Sequence, residues 1–427
     1  MAKRTVGTYI TRPGRCPGDK ETTFPVAKDL LKVPGTPRKE DEITFHSKEY
    51  PLESFAIEES ASAHWAGRER DRLSPQISDL YKRFATEIRP VVDWIRSTGD
   101  LLPTAIASGS DVTDQIKLKA RSLGYGEVGF TRLDRRYIYE SKKRFLKRNL
   151  TSTICLAYEQ DYVASQKIPG IEAEVAQGET YVDQARSSME LVDFIRSLGY
   201  RAQVSGPVWH FGPMIPQFVE AGLGQLGVNG QLLSPHFGSR ARLQVIFTDA
   251  KLTYTKPVDF GITKFCETCQ VCFIRCPGKA IQGQKIWFRG VQKSKLIYKR
   301  CRPVMARFAG CGVCIKVCPI QKYGMKPVME HYVKTGTVLG KGTENLEAYE
   351  LPGKGYFSAG KLPKFESGFF DMPTGKLEDN LLMEFKRKVN SEDSNIDDTV
   401  WLEFTNDLKK TINKKPNIID MGMDMEE

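Results

Sequence analysis

The chain has 427 residues, of which 40% are hydrophobic and 27% charged, which excludes a disordered chain and allows two to four domains at about 150 residues each. No stretch of eighteen residues is free of both charge and helix breakers, which excludes a transmembrane helix. Lys3 and Arg4 precede no apolar run, so the expectation is a cytoplasmic protein, unless a twin-arginine leader has been removed.

Residues 1–105 are rich in proline and charge and read as a wrapping segment, with helix near Leu80 to Trp94. Val112, Ile116, Ala120 and Leu123 follow helical spacing after Asp111, and Gly124 marks a stop. Glu127 to Phe130 and Thr153 to Tyr158 read as strands. Tyr181, Ala185, Met189, Val192, Ile195 and Leu198 then make the strongest helical stripe, ended by Gly199. The pentapeptide Arg-Ser-Leu-Gly-Tyr occurs at 121–125 and again at 196–200, as a shared helix stop and not a duplication. Residues 202–239 hold one charged residue, Glu220, with four prolines and seven glycines. Such backbone suits either a large neutral ligand or a loop buried in its own domain. A strand follows at Ala241 to Thr248, and the tail from 331 to 427 shows no strong core pattern before Leu381. Leu381, Leu382 and Phe385, then Trp401 and Leu402, mark two helices, and the acidic end from Asp420 is mobile.

Eight of the ten cysteines fall within residues 266–318; Cys16 and Cys155 are left as ordinary thiols. Cys266-x2-Cys269-x2-Cys272-x3-Cys276-Pro277 matches the bacterial ferredoxin pattern in every spacing. Cys311-x2-Cys314-x3-Cys318-Pro319 repeats its last three members, and Cys301 supplies the missing first. Eight ligands make two 4Fe-4S clusters. With the crossover of two-cluster ferredoxins, Cys266, Cys269, Cys272 and Cys318 hold one, and Cys276, Cys301, Cys311 and Cys314 the other. Zinc also takes paired cysteines, but a four-cysteine run ending in proline is not its pattern. Two clusters form an electron wire, and more than two hundred residues precede them to receive its electrons.

The formal net charge is +11, and from Thr268 to Met329 there is no acidic residue but thirteen basic ones, overlapping the cysteines. Basic surroundings offset the anionic clusters and suit an acidic ferredoxin or flavodoxin as electron donor. Lys142, Lys143, Arg144, Lys147 and Arg148 read as a solvated helix face. Gly222-Leu-Gly-Gln-Leu-Gly227 spells a dinucleotide fingerprint, but a helix at Pro216 to Ala221 leads into it where a strand is needed, which argues against a nucleotide site. The histidines are His46, His64, His210, His236 and His331, and none lies in an Asp-x-His-x-x-Gly arrangement.

Ala221-Gly-Leu-Gly-Gln-Leu-Gly-Val-Asn-Gly230, its continuation through Leu-Leu-Ser-Pro-His-Phe-Gly-Ser-Arg-Ala-Arg-Leu to Phe247-Thr-Asp249, and Pro257-Val-Asp-Phe-Gly261 resemble the signature of corrinoid iron–sulfur reductases. That family divides into reductive dehalogenases and epoxyqueuosine reductase, and the resemblance covers residues 110–325. It implies an α/β (α+β) architecture: a nitroreductase-like cobalamin-binding core over 106–255, a ferredoxin-like domain over 256–330 and a C-terminal extension over 331–427. Gly222, Gly224, Gly227, Asn229, Gly230 and Phe237 would contact base-off cobalamin. Dehalogenases place a tyrosine eighteen residues before the Gly of a helix-ending Gly-Tyr; Tyr181 stands there before Gly199. Their basic residue in the Phe-Gly-x-Arg segment is Arg240 here, and the aspartate of epoxyqueuosine reductase falls at Thr180. The dehalogenase asparagine would fall near Pro207 and is absent.

The resemblance therefore implies a cobalamin-dependent reductive dehalogenase acting on a small organohalide. Two electrons would reach cobalt as Co(I), Tyr181 would give the proton, and Arg240 would stabilise the tyrosinate. The alternatives are an epoxyqueuosine reductase-like enzyme acting on transfer RNA, which the net charge would suit but Thr180 argues against, and a non-catalytic corrinoid carrier, which needs no electron wire.

Overall fold

The computed structural model describes residues 1–6, 22–31, 37–43, 69–70, 72–97, 102–206 and 210–371. Cys16, His46, His64, Pro207, the apolar clusters from Leu381 to Leu402 and the acidic end lie outside these residues.

Four strands form the central sheet: β1 (Glu127–Arg132), β2 (Ser152–Glu159), β3 (Ala202–Ser205) and β4 (Ala241–Thr248). They run in the order β1-β2-β4-β3 and every pair is antiparallel. Ile246 of β4 lies opposite Ile154 of β2 and Val204 of β3, which fixes the register at the centre. β2 is buried along its whole length, which explains its continuous apolar run. Cys155 is fully buried there and burial raises its thiol pKa, so it is a core residue. β3 falls inside the low-charge stretch, where four residues are too few to show a period.

Three helices pack about this sheet: α1 (Pro75–Ser97), α2 (Thr113–Ser122) and α3 (Ile171–Ser197). Ile77, Leu80, Phe84, Ile88 and Val91 put one stripe of α1 into the core against α3. A Cβ at Gly178 would stand 2.5 Å from Leu80 Cδ2, so a glycine lets the two helices approach. The repeated pentapeptide ends α2 and α3 in the same way. Gly124 and Gly199 take φ of +95° and +92°. Tyr125 N–H donates to Ala120 O and Tyr200 N–H to Ile195 O, at 3.2 and 3.3 Å, closing a Schellman motif each time. Both tyrosine rings are buried.

A second core lies under short helices at Ile262–Cys269, Val271–Arg275, Tyr298–Arg307, Val313–Lys316, Pro319–Tyr323 and Met325–Thr335. Sequence-distant residues complete it. Phe24, Val26 and Leu30 come from the amino-terminal hairpin Ala2–Val6/Thr22–Val26 and the turn after it. Leu346, Tyr349 and Leu351 come from the C-terminal extension, where Tyr349–Leu351 pairs antiparallel with Gly355–Phe357. The extension thus has a buried face before Leu381, contrary to the sequence expectation; three alternating residues give too short a pattern to read. The basic run at 142–148 is also not a simple solvated face: Lys142 is 5% exposed, in a 3-10 helix over Glu140–Phe145. Among the described residues no helix is long and apolar enough to cross a membrane.

Candidate active site

The eight clustered cysteines gather in two sets. Burial is the largest cause raising the thiol pKa of Cys266, followed by the nearby charges of Cys269 and, more weakly, Cys318. Cys272 is raised in the same way by burial, then by Cys266 and Cys318. In the other set, burial and Cys276 push Cys301 up to about 11, and burial with Cys301 and Cys276 pushes Cys311 up to about 12. Cys314 responds to Cys311, Cys301 and Cys276, and also to Cys318, so the sets are neighbours. Backbone N–H groups aim at the sulfurs: Ala280 N donates to Cys276 Sγ at 3.2 Å, Gly312 and Val313 to Cys311, Val228 to Cys266, and Ile320 and Gln321 to Cys318. Such donors favour thiolate over thiol and oppose the burial. Among the described residues no three His, Cys, Asp or Glu side chains converge as a site for a single ion.

The Cys276 set opens on a cleft of about 1170 Å³ including its mouth. Gln177 of α3, Arg242 of β4, and Asn229 with Gln231 from the loop after the glycines line it opposite Cys276, Cys301, Cys311 and Cys314. Tyr181 lies one helical turn beyond Gln177, half-buried, with its ring edge-on to Phe84 at 5.6 Å. The cation at that ring is Arg242, 4.6 Å from its centroid, and not the expected Arg240. With the Gln160 amide oxygen turned towards it, Arg242 donates from Nε at 2.6 Å and from Nη2 at 2.9 Å. Arg240 is 1% exposed, ion-paired with the equally buried Glu159 and set 5.3 Å from the Tyr162 ring. Arg240 immediately precedes β4 and Arg242 is its second residue; two residues apart, they are not separated by spacing alone. Thr180 donates its hydroxyl back to Ala176 O at 2.9 Å and is buried in the helix packing.

Among the expected cofactor contacts, only Asn229 lines this cleft, and its Nδ2 donates to Cys314 O at 3.3 Å. Gly222, Gly224 and Gly227 face the protein itself: added Cβ atoms would stand 2.4 Å from Lys256 O, 2.6 Å from Leu233 O and 2.7 Å from Asn229 Oδ1. These glycines shape a turn after the helix Ile215–Glu220, which is the helix that the sequence placed before them. Gly230 borders a separate cavity beside Tyr137 and Lys293, and Phe237 is fully buried in the sheet's core.

Sequence reasoning missed Glu127. It opens β1, is 6% exposed, and lies near Glu159, Arg240 and Ser234. Burial raises its pKa to about 8; Ser234 opposes the shift, Glu159 adds to it and Arg240 opposes it. A single glutamate at a strand start carries no signal that would mark it as buried.

No family model matches the chain. A tetrachloroethene reductive dehalogenase of Sulfurospirillum multivorans is 31% identical over 266 residues, 52% of this chain and 53% of the relative. Another, from Desulfitobacterium hafniense, is 36% identical over 134 residues, 31% of this chain and 24% of the relative. The chain therefore spans about half the length of the first relative and a quarter of the second. An epoxyqueuosine reductase of Synechococcus sp. (strain RCC307) is 36% identical over 107 residues, 23% of this chain and 32% of the relative. Among solved structures, the catabolic reductive dehalogenase NpRdhA in complex with 3-bromo-4-hydroxybenzoic acid aligns at a TM-score of 0.56 and 22% identity, covering 71% of this chain and 46% of that one. A further reductive dehalogenase structure, described in terms of B12-dependent dehalogenation, aligns at 0.55 and 22% identity, covering 72% and 46%. Over half its length this chain is similar in sequence to a reductive dehalogenase, and over 71% of its length it shares the mixed α/β fold of one.

Proposed function

We propose that the chain is a corrinoid- and iron–sulfur-dependent reductive dehalogenase that replaces a halogen on a small organohalide by hydrogen, with release of halide. The observation that carries this reading is the cleft that the Cys276 set shares with Arg242, the arginine that faces the Tyr181 ring. Cys266, Cys269, Cys272 and Cys318 hold one 4Fe-4S cluster, and Cys276, Cys301, Cys311 and Cys314 the other, in a nitroreductase-like core with a ferredoxin-like domain beside it. The amide donors at the sulfurs fit anionic clusters. Buried thiols must shed their protons to become ligands, so loading is coupled to proton release. Gln160, Gln177, Asn229 and Gln231 supply amides along a cleft that also carries Asp161, Glu174, Arg242 and Arg300, polar partners that fit the amide-fringed edge of a corrinoid. When bound there, the corrinoid supplies a strongly reducing cobalt centre.

The reaction consumes two electrons and one proton per halide released. Tyr181 gives that proton from its hydroxyl. Arg242, facing the ring and held by Gln160, offsets the negative charge left on the phenolate. Exposed basic residues of this region, among them Lys279 and Lys299, receive an acidic ferredoxin or flavodoxin as electron donor. Thr180, turned into its own helix, provides no carboxylate for the transfer-RNA branch.

Tyr181→Phe tests the reading. It keeps the ring against Phe84 and removes only the hydroxyl. Turnover of tetrachloroethene and of a brominated phenol is expected to fall about a hundred- to ten-thousand-fold, with iron and corrinoid content unchanged. Near-normal turnover would remove Tyr181 as the donor. Absence of corrinoid after anaerobic reconstitution would remove the cofactor assignment.

A further inference from the structure

Tyr349 of the C-terminal extension sits in the core that also holds Cys269 and Cys318, with Cys311 packed against it. It is 1% exposed, and its hydroxyl has no hydrogen-bond partner among the described residues. An unsatisfied buried hydroxyl costs about 1–3 kcal/mol, and phenylalanine would fill the same core space without that cost. The surroundings of the hydroxyl are specific. Burial raises the phenol's pKa, Arg275 opposes that shift, and the neighbouring charges of Cys311 and Cys276 add to it. These two cysteines belong to one set and come from two different loops.

The placement is built, not incidental. Arg275, one residue before Cys276, is fully buried and set 4.9 Å from the Tyr349 ring centroid. Its Nε donates to Glu347 O at 3.0 Å, Nη1 to Lys361 O at 2.7 Å and Nη2 to Ser358 O at 3.0 Å. One guanidinium thus ties the segments on either side of the hairpin Tyr349–Leu351/Gly355–Phe357 to the end of the helix Val271–Arg275, next to Cys276. Tyr349 and Leu351 alternate with the exposed Glu350, so the strand's pleat turns the phenol inward.

We infer that Tyr349 is a positioning residue whose hydroxyl donates a hydrogen bond to a sulfur of the cluster held by Cys276, Cys301, Cys311 and Cys314, and so raises that cluster's reduction potential. This rests on the two-cluster reading above. A phenol is neutral near pH 7 and has a proton to donate. A donor aimed at cluster sulfur stabilises the reduced state, because that state carries one more negative charge. Reduction adds one electron from the reductant and breaks no bond, so the hydroxyl keeps its proton throughout. The extension is then part of the electron path and not only a cover.

The test is a redox titration of the full-length, reconstituted protein and of Tyr349→Phe, with dithionite as reductant and both clusters followed by electron paramagnetic resonance. The expected result is a shift of about tenfold towards the oxidised state for one cluster, near the lower end for a hydrogen bond to a charged group. For a one-electron couple that is a fall of about 59 mV. The cluster of Cys266, Cys269, Cys272 and Cys318 keeps its midpoint. Electron–nuclear double resonance of the unaltered protein in deuterated water is a second readout: it shows an exchangeable deuteron that Tyr349→Phe lacks. With both clusters present, an unmoved midpoint or an unchanged deuteron spectrum overturns this inference alone. If the unaltered protein shows no second cluster, the two-cluster reading falls and this inference with it.

Discussion

Replacing Glu127 by glutamine should stabilise the protein at alkaline pH and leave it unchanged in acid. Burial moves the Glu127 carboxyl from an ordinary 4.5 to about 8. At about 1.36 kcal/mol per unit, ionising it in the folded chain costs on the order of 5 kcal/mol. The sign follows from where the proton sits. Below pH 4.5 both folded and unfolded chains hold it, and the site costs nothing. Between 4.5 and about 8 the unfolded chain has released the proton while the folded chain keeps it, so stability falls as pH rises. Above about 8 both states are ionised and the full penalty persists. Glutamine has the same shape and cannot ionise, so Glu127→Gln lacks this loss. Thermal unfolding of the anaerobic, loaded protein at pH 5, 7 and 9 measures it. The variant should match the unaltered protein at pH 5 and exceed it by a growing margin of several degrees at pH 7 and 9. Parallel profiles would refute the argument, because they would mean that Glu127 releases its proton at the same pH in both states.

The two arginines at the start of β4 should separate by assay. Arg240→Leu removes the ion pair of the buried Glu159 and should cost about 3–5 kcal/mol of stability, whereas Arg242→Leu should spare the melting temperature and lower turnover. Equal effects on both quantities would contradict the assignment. Cys301→Ala should remove one of two cluster signals in electron paramagnetic resonance; two intact signals would contradict the crossed ligand sets. Reduction by an acidic ferredoxin should slow as salt rises from low ionic strength, and a rate indifferent to salt would count against docking on the basic region.

Long or repeated signals in the sequence map directly onto the structure. β4 spans Ala241–Thr248, as its apolar run predicts, and both Arg-Ser-Leu-Gly-Tyr segments close helices through the same hydrogen bonds. The eight cysteines that the spacing singles out do come together, in two neighbouring sets. What spacing cannot supply is direction across a fold. Arg240 and Arg242 are two residues apart, and Arg242 meets Tyr181 while Arg240 pairs with the buried Glu159. The glycines at 222, 224 and 227 signal close approach, but the approaching atoms belong to Lys256, Leu233 and Asn229 and not to a ligand. Glu127 and Tyr349 carry no local mark, since burial at both is created by segments far away in the chain.

That distance has a consequence for how the protein is made. Phe24 and Val26 share a core with Phe265, Val313 and Leu351, so this core cannot close until the chain beyond residue 351 is available. Contacts so remote in sequence are slow to form, and the amino-terminal strands must wait through synthesis of the whole sheet. The cysteines stay open to solvent and to misoxidation during that interval. On the two-cluster reading proposed above, cluster insertion is then a late event, and yield of loaded protein should respond more to iron and sulfide supply after synthesis than during it.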